Sequence, residues 1–425
     1  MQINVLLIGS GAREHALAWK ISGSALLRNL YCIGPNPGFI GLANIVNIAY
    51  DNINHNPIIE LCKKNNIDLV VIGPEQPIIN GLANALAQHK IAAFAPFQAA
   101  AKLESSKIFT KNLLANYMVP SPNFKAFYNK AEAKQFIANQ PLPVVIKADG
   151  PALGKGTFVA TTIEQANNAI EECTTKYGSA ILIEEYLTGK EVSFFVLYDG
   201  KTPVSFGYAR DYKKLYDNDK GPNTGGMGAY SSQDLLDSNQ KQLIMSNIIH
   251  PTLTALRNIG LPYKGILFAG IMLTPSGPKL LEYNVRLGDP ECQALLLRLN
   301  SDILQLFIAT INGTLDSEEP NWYEYYSINI VLASKGYPYN SYPGKNIDLQ
   351  DFIDKYNKLP NLHLFFGNII QPNIHRAVLK PQGGRLLNIA AIGANLEEAQ
   401  ALAYRACADL DKYNLHYRKD IGKKL

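Results

Sequence analysis

Across its first 94 residues the chain repeats one pattern: a short run of Val, Ile and Leu, then a segment with the 3.6-residue period of a helix. Strands are predicted at residues 4–8, 30–33, 68–72 and 91–94, and helices at 13–21, 56–65 and 78–88. Strands apolar on both faces must be covered on both, which alternating strands and helices achieve around a parallel, doubly wound sheet. That choice also fixes where a ligand can lie. It sits outside the carboxyl ends of the strands, where this sequence places glycine-rich turns at 9–11, 34–38 and 73–77.

The sheet uses only the first part of a 425-residue chain, which is too long for one compact core. A helical stretch at 99–117 is broken by Val119-Pro-Ser-Pro122. A compact α+β unit follows: helix 131–139, strand 144–147, a glycine loop to Gly156, strand 157–160, helix 163–174, and strands 180–184 and 191–198. Residues 200–320 read as a mainly antiparallel sheet, with strands at 204–208, 265–273 and 279–284 and helices at 241–258 and 302–312. The last hundred residues read as a further small α+β piece, with strands 327–333 and 385–392 and helix 396–410. The expected division is 1–102, 103–122, 123–192, 193–322 and 323–425.

Composition excludes several classes. A net charge of +4 without a Lys/Arg block gives no footprint for nucleic acid. No apolar run is long enough to span a membrane, so no membrane partner is expected. The short apolar run at the N-terminus lacks a basic lead and reads as a strand rather than a signal peptide. Five scattered cysteines with no CxxC argue against a disulfide framework or zinc cluster and suit a reducing cytoplasm.

Five motifs carry chemistry. The turn Gly9-Ser-Gly-Ala-Arg-Glu-His15 can point backbone N–H groups at an anion. It reads G-x-G-x-x-E, so the dinucleotide fingerprint lacks its third glycine, and the second strand leads to no acid for a ribose. A substrate phosphate is the expected ligand of Gly9, Ser10 and Gly11. His15 reads as a helix-start residue, with a catalytic role as the alternative. In Val144-Val-Ile-Lys-Ala-Asp-Gly-Pro-Ala-Leu-Gly-Lys-Gly-Thr157 the P-loop count fails, and a strand follows instead of a helix. A glycine hairpin closing over a triphosphate is expected, with Lys147 and Lys155 as phosphate contacts. Residues 180–191 run from an apolar strand into Glu184, Glu185, Tyr186, Leu187 and Glu191, a hinge able to hold a nucleoside.

On the strand near 282, Glu282 and Asn284 share a face and can supply two oxygens to Mg²⁺. Arg286 continues that face and can grip a carboxylate or acyl phosphate. The glycine-dense loop Gly221-Pro-Asn-Thr-Gly-Gly-Met-Gly-Ala-Tyr230 is expected to be an exposed backbone nest for a small substrate. No nucleophile elbow or Cys–His pair supports hydrolase chemistry.

Taken in order, a helix lysine (Lys107), a lysine-ended strand, a glycine loop, an acid-rich hinge and an E-x-N strand resemble the ATP-grasp succession. Blocks 9–15, 73–75, 147–150, 221–230 and 286–291, with the ending Tyr417-Arg-Lys-Asp-Ile-Gly422, are similar to the phosphoribosylamine–glycine ligase family. That resemblance implies an N-terminal α/β domain, an ATP-grasp core with a swinging lid, and a C-terminal α+β domain. It also implies ligation of glycine to 5-phosphoribosylamine with ATP and Mg²⁺ or Mn²⁺, through glycyl phosphate, by a monomer or weak dimer.

Lys107, Lys147, Lys155, Glu184, Glu185, Leu187 and Glu191 are then expected at the nucleotide, and Glu282 and Asn284 at the metal. Gly9, Ser10, Gly11, Asp211, Asn223, Thr224, Gly225, Gly226, Arg286 and Asp289 are expected at the substrates. Of these, Asp211 would take the glycine ammonium, and Arg286, Lys147 and Lys155 would act in catalysis. Ala12, Pro151, Val285 and Leu287 depart from the family's usual wording. Phe268-Ala-Gly-Ile271 offers no acid where many ATP-grasp enzymes have a metal ligand, so a second tightly held metal is not expected.

Overall fold

The computed structural model describes residues 2–150, 156–178, 180–356, 358–373 and 376–423. The expected lid loop, including Pro151 and Lys155, lies outside them.

The N-terminal part comprises β1 (Ile3–Ile8), α1 (Ala12–Ser22), β2 (Leu27–Ile33), β3 (Asn44–Val46), α2 (Asn56–Lys64), β4 (Leu69–Ile72), α3 (Glu75–Ile79), α4 (Leu82–Gln88) and β5 (Ala92–Phe94). Its sheet is parallel throughout, in the order β3-β2-β1-β4-β5. The Gly9 and Gly73 turns therefore meet beside the adjacent ends of β1 and β4. The helix expected over 78–88 is broken by Gly81, whose φ of +86° ends one helix and starts the next.

The 99–117 stretch divides into α5 (Lys102–Ser105) and α6 (Lys107–Ala115). Ser106 is extended between them, and its hydroxyl caps α6 by accepting from the Phe109 N–H. The lid follows: β6 (Phe124–Phe127), α7 (Lys130–Ile137), β7 (Val144–Ala148), β8 (Thr157–Ala160), α8 (Ile163–Lys176) and β9 (Ile181–Glu185), with strand order β6-β9-β7-β8. It has its own small core, built on Phe127, Ile137, Ile146, Ile170 and Ile183.

Beyond the lid come β10 (Lys190–Tyr198), β11 (Pro203–Asp211), β12 (Lys214–Tyr216), β13 (Lys220–Asn223), β14 (Gly228–Ser231), α9 (Ser238–Ile244), α10 (His250–Asn258), β15 (Gly265–Thr274) and β16 (Gly277–Asn284). A π turn at Met245–Ile249 joins α9 to α10, because Pro251 has no N–H to continue the α ladder. Next are α11 (Glu291–Arg298), α12 (Ile303–Asn312), β17 (Tyr326–Ala333), β18 (Ile347–Asp348), α13 (Gln350–Tyr356), β19 (Leu362–Phe366), β20 (Ile369–Ile370), β21 (Val378–Pro381), β22 (Arg385–Gly393) and α14 (Leu396–Ala408).

The last hundred residues do not stand apart. One antiparallel eight-stranded sheet runs β16-β15-β10-β11-β14-β17-β22-β19. The short β14 joins β16, β15, β10 and β11 to the C-terminal strands. Against it packs α11, all eight of whose residues are buried. Phe94 of β5 stacks on Phe307 of α12 at 3.8 Å between ring centroids, seating the N-terminal sheet on the same core.

Candidate active site

The floor is β16 beside β15. Alternation along the strand gives Glu282 and Asn284 one face. Glu282 faces Gly270 across the ladder, so no acid stands opposite it. Burial alone would raise the Glu282 pKa. Lys213, Lys147, Lys107 and Arg286 outweigh that and hold it at about 2. Yet among the described residues none forms a direct hydrogen bond or ion pair with its carboxylate. Asn284 Oδ1 accepts one bond, from Arg286 at 3.1 Å, which leaves it a second lone pair.

Lys147 projects from the lid strand β7 onto this floor. Its ammonium meets Glu184 Oε2 at 2.8 Å and donates to Leu281 O at 3.2 Å. The other oxygen of Glu184 takes Lys111 of α6 at 3.0 Å, and Lys111 reaches Leu280 O at 3.4 Å. Glu184, expected at the nucleoside, is here sealed between two lysines. Burial lowers the Lys111 pKa to about 8 despite Glu184, whereas Glu184 and Glu282 overcome burial and raise that of Lys147. Glu185 pairs with Lys279 at 3.0 Å and takes a bond from Asn123 at 2.9 Å, and Leu187 follows half-buried at the lid's exit. Lys107, at the start of α6, donates to Gly150 O at 3.0 Å, beside the lid turn. Glu191 of β10 forms a close ion pair with Lys213.

Arg286 is not free to grip an anion as expected. Its guanidinium lies between Glu75 at 3.3 Å and Glu104 at 3.0 Å, and Glu104 also accepts the Val285 N–H. The Gly9 turn is occupied too. Glu14 Oε2 accepts the Gly11 N–H at 2.8 Å, so that donor is spent within the protein. A Cβ on Gly9 or Gly73 would come within 2.7 or 2.2 Å of the Glu14 side chain, so both glycines make room for this carboxylate. Arg13 fixes Glu14 at 2.7 Å and reaches Leu287 O. Ser10 remains exposed. His15 is structural: its Nδ1 accepts the Phe366 N–H at 2.9 Å, and burial keeps the ring neutral, with a pKa near 3.

The 221–230 loop is neither exposed nor an open nest. Thr224, Gly226, Met227 and Gly228 are buried. Gly225 N–H donates to the Tyr337 hydroxyl and Gly226 N–H to Thr224 Oγ1, which uses up the donors expected to face a substrate. Arg385 clamps Gly225 O, Asp289 O and the Asp289 carboxylate from β22, at 2.6, 2.7 and 3.0 Å. Asn223 donates to Thr157 O, tying this loop to lid strand β8. Asp211 is the open acceptor here: its Oδ1 is buried and has no hydrogen-bond partner among the described residues. Burial and the neighbouring Glu291 push its carboxyl well above the usual range. A Cβ on Gly226 would lie 3.0 Å from that oxygen and 2.3 Å from Pro290, so glycine is required.

Sequence reasoning missed Lys111, Lys213, Glu104, Glu291 and Arg385. Two signals were present: Lys111 lies one turn from Lys107, and Lys213 lies two residues from Asp211 at a strand end.

A lysine-bearing lid over an antiparallel floor with an E-x-N pair defines an ATP-grasp enzyme, an ATP-dependent ligase that forms C–N bonds. Three family models match: "Phosphoribosylglycinamide synthetase" N domain over 3–104, its ATP-grasp (A) domain over 105–292 and its C domain over 327–424. The chain belongs to the phosphoribosylamine–glycine ligase family. It is 43% identical to the Brucella melitensis phosphoribosylamine–glycine ligase, over 99% of this chain and 97% of that one. It is 42% identical to the one from Mesorhizobium japonicum, over 99% and 98%. The solved phosphoribosylamine–glycine ligase of Thermotoga maritima matches with a TM-score of 0.80 at 27% identity, over 99% of this chain and 100% of that one. The biotin carboxylase domain of Hydrogenobacter thermophilus 2-oxoglutarate carboxylase shares the fold, with a TM-score of 0.71 at 17% identity over 98% and 91%.

Proposed function

We propose that the chain joins glycine to 5-phosphoribosylamine at the expense of ATP, giving glycinamide ribonucleotide, ADP and phosphate. The observation that carries this reading is Glu282: a carboxylate kept ionised by three lysines and an arginine, yet paired directly with none among the described residues. A carboxylate left with free oxygen donors among several fixed cations suits a triphosphate and its counter-ion. The donor set fits a divalent cation, with Glu282 and Asn284 as its protein oxygens. Bound there, Mg²⁺ or Mn²⁺ would neutralise charge on the phosphates.

In this reading Lys107, Lys147, Lys213 and, from the lid loop, Lys155 hold the phosphates, and the segment Glu185–Leu187 with Glu191 receives the nucleoside. Attack of the glycine carboxylate on the γ-phosphorus brings two anions together, and the lysines offset that repulsion without rearranging. The unpartnered Asp211 oxygen takes the glycine ammonium. Arg286, released from Glu75 or Glu104, takes the carboxylate or acyl phosphate. The amine then attacks glycyl phosphate while the lid of residues 123–192 keeps water out. Ser10 and the Gly9–Gly11 turn, with the Asn223–Gly226 and Asp289 loops, shape the place of the ribose phosphate. Five buried, unpaired cysteines suit a reducing cytoplasm.

Glycine-dependent ADP release tests the reading. Wild type should require both glycine and the amine, and bicarbonate or formate should not replace glycine. Lys147→Ala and Glu282→Ala should abolish turnover with the fold intact. Near-normal turnover in both would overturn the site assignment.

A further inference from the structure

The hairpin β12–β13 presents a problem of support. It is a separate two-stranded sheet with two registered pairs, Lys214↔Asn223 and Tyr216↔Lys220. Its turn passes through Asn218 and Asp219, both left-handed, with φ of +57° and +52°. A lone two-stranded hairpin is marginal in water. Yet this one carries Asp211 and Lys213 at one root and Asn223 and Thr224 at the other.

The chain's own C-terminal tail holds it. Arg418 is fully buried. Its Nε and one terminal nitrogen grip both oxygens of Asp420 at 2.7 Å. The other terminal nitrogen reaches Asp219 at 2.8 Å and Lys214 O at 3.1 Å. Asp420 accepts the Asn218 N–H, and Asp217 accepts the Lys419 N–H, both at 2.8 Å. His416 bonds Leu215 O at 2.8 Å, and Gly422 N–H donates to the Tyr212 hydroxyl at 3.0 Å. The guanidinium also lies 4.9 Å from the Tyr212 ring centroid. Alternation does the rest: with the Tyr212 side chain turned to the tail, Asp211 and Lys213 on either side are sent the other way. Lys213 there meets Glu191, and its carbonyl accepts both the N–H and the hydroxyl of Thr224 at 2.8 Å.

We propose that Arg418 is a positioning residue of the ligase, fixing the hairpin so that Lys213 and Asp211 face the nucleotide phosphates and glycine. This rests on the functional reading above. A planar fork that serves two carboxylates and a carbonyl at once cannot be replaced by an ammonium.

The test uses the full chain in steady-state ADP release, varying each substrate in turn, with Arg418→Lys, Asp219→Ala, Lys213→Met and the exposed control Lys355→Ala. Displacing a catalytic group by about 1 Å from a distance can cost on the order of 10²-fold. Arg418→Lys should therefore approach that loss in kcat and raise KM for glycine and ATP, and also for the amine, because Asn223 and Thr224 sit at the hairpin's other root. Lys213→Met should show the kcat and ATP part of this pattern, Asp219→Ala a weaker version of the whole, and Lys355→Ala none of it. Unchanged constants in Arg418→Lys, or a uniform loss of active protein with every KM unmoved, would overturn the inference. Should Arg418→Lys fail to fold, Asp219→Ala decides in the same terms, since Asp219 is half exposed. A wild type that releases ADP without glycine would instead defeat the functional reading, and this inference with it.

Discussion

Replacing Glu184 by glutamine removes the carboxylate from the Lys111–Glu184–Lys147 triad while keeping its shape. The side chains are 3%, 1% and 5% exposed, so water screens little of the interaction. Removing one partner of a buried ion pair costs roughly 3–5 kcal/mol. Lys111 has a pKa of only about 8 with Glu184 present, so in the variant it sheds its proton, and Lys147 keeps Glu282 nearby. The expected loss is therefore near the lower end, about 3 kcal/mol.

The other end of the pair should respond with the opposite sign. Burial draws Lys111 down from 10.5 to about 8, so its charged form costs the fold roughly 3 kcal/mol at neutral pH. Lys111→Met lifts that cost and should leave stability unchanged or higher. Between pH 8 and 10.5 the unfolded chain holds this proton and the folded one does not. The wild type then gains stability with rising pH, and the advantage of methionine shrinks across that window. Amide hydrogen exchange in β7 and β9, with urea unfolding, measures both variants. Equal losses in the two, or a loss under about 1 kcal/mol in Glu184→Gln, would refute the reasoning.

Glu282→Gln should reduce ADP release on the order of 10²-fold or more. With its pKa at about 2, Glu282 adds no acid limb to the rate profile above pH 5, and its contribution to stability is lost only as pH falls from 4.5 towards 2, which acid titration of both proteins would reveal. His15→Leu should keep kcat but lose about 1–2 kcal/mol, because the Phe366 N–H loses its acceptor. Wild type should weaken as pH falls from 6.5 towards 3, where the unfolded chain binds a proton that buried His15 refuses, and His15→Leu should lack that component. Gly38→Ala would put a methyl 1.9 Å from the His15 ring and should cost about 1–3 kcal/mol in denaturant unfolding.

Much of the architecture could be read from local pattern. The strands β1, β2, β4 and β5 announce themselves because the buried strands of a parallel sheet are rich in Val, Ile and Leu, whereas the short, exposed edge strand β3 did not; the Glu282–Asn284 pair shows because a strand alternates every second residue. Helix breaks at Gly81, Ser106 and Pro251 were less visible, since the apolar period continues through each of them. The helix α11 hid for another reason: with every position buried, it has no polar face to mark it. The union of core and C-terminal strands depends on β14, four residues inside a glycine loop whose partner lies about a hundred residues later. Within the site, residue types were legible and their partners were not. Glu184 between its lysines and Arg286 between two acids are contacts made across elements, which spacing does not encode; Glu14 on the Gly11 N–H is instead a local capping contact three residues apart, a spacing the sequence did offer.

The joining of eight strands into one sheet also sets a timetable for synthesis. While a ribosome is still making residues beyond 320, β14 has its neighbour on one side and bare backbone on the other. The segment that will cover that edge, β17, pairs on its other side with the still later β22. During this interval a second nascent copy could lend its own late strands and trap both chains in an exchanged pair. Prompt completion of the final hundred residues is thus a safeguard against tangling, and stalling there should be more harmful than stalling anywhere in the lid.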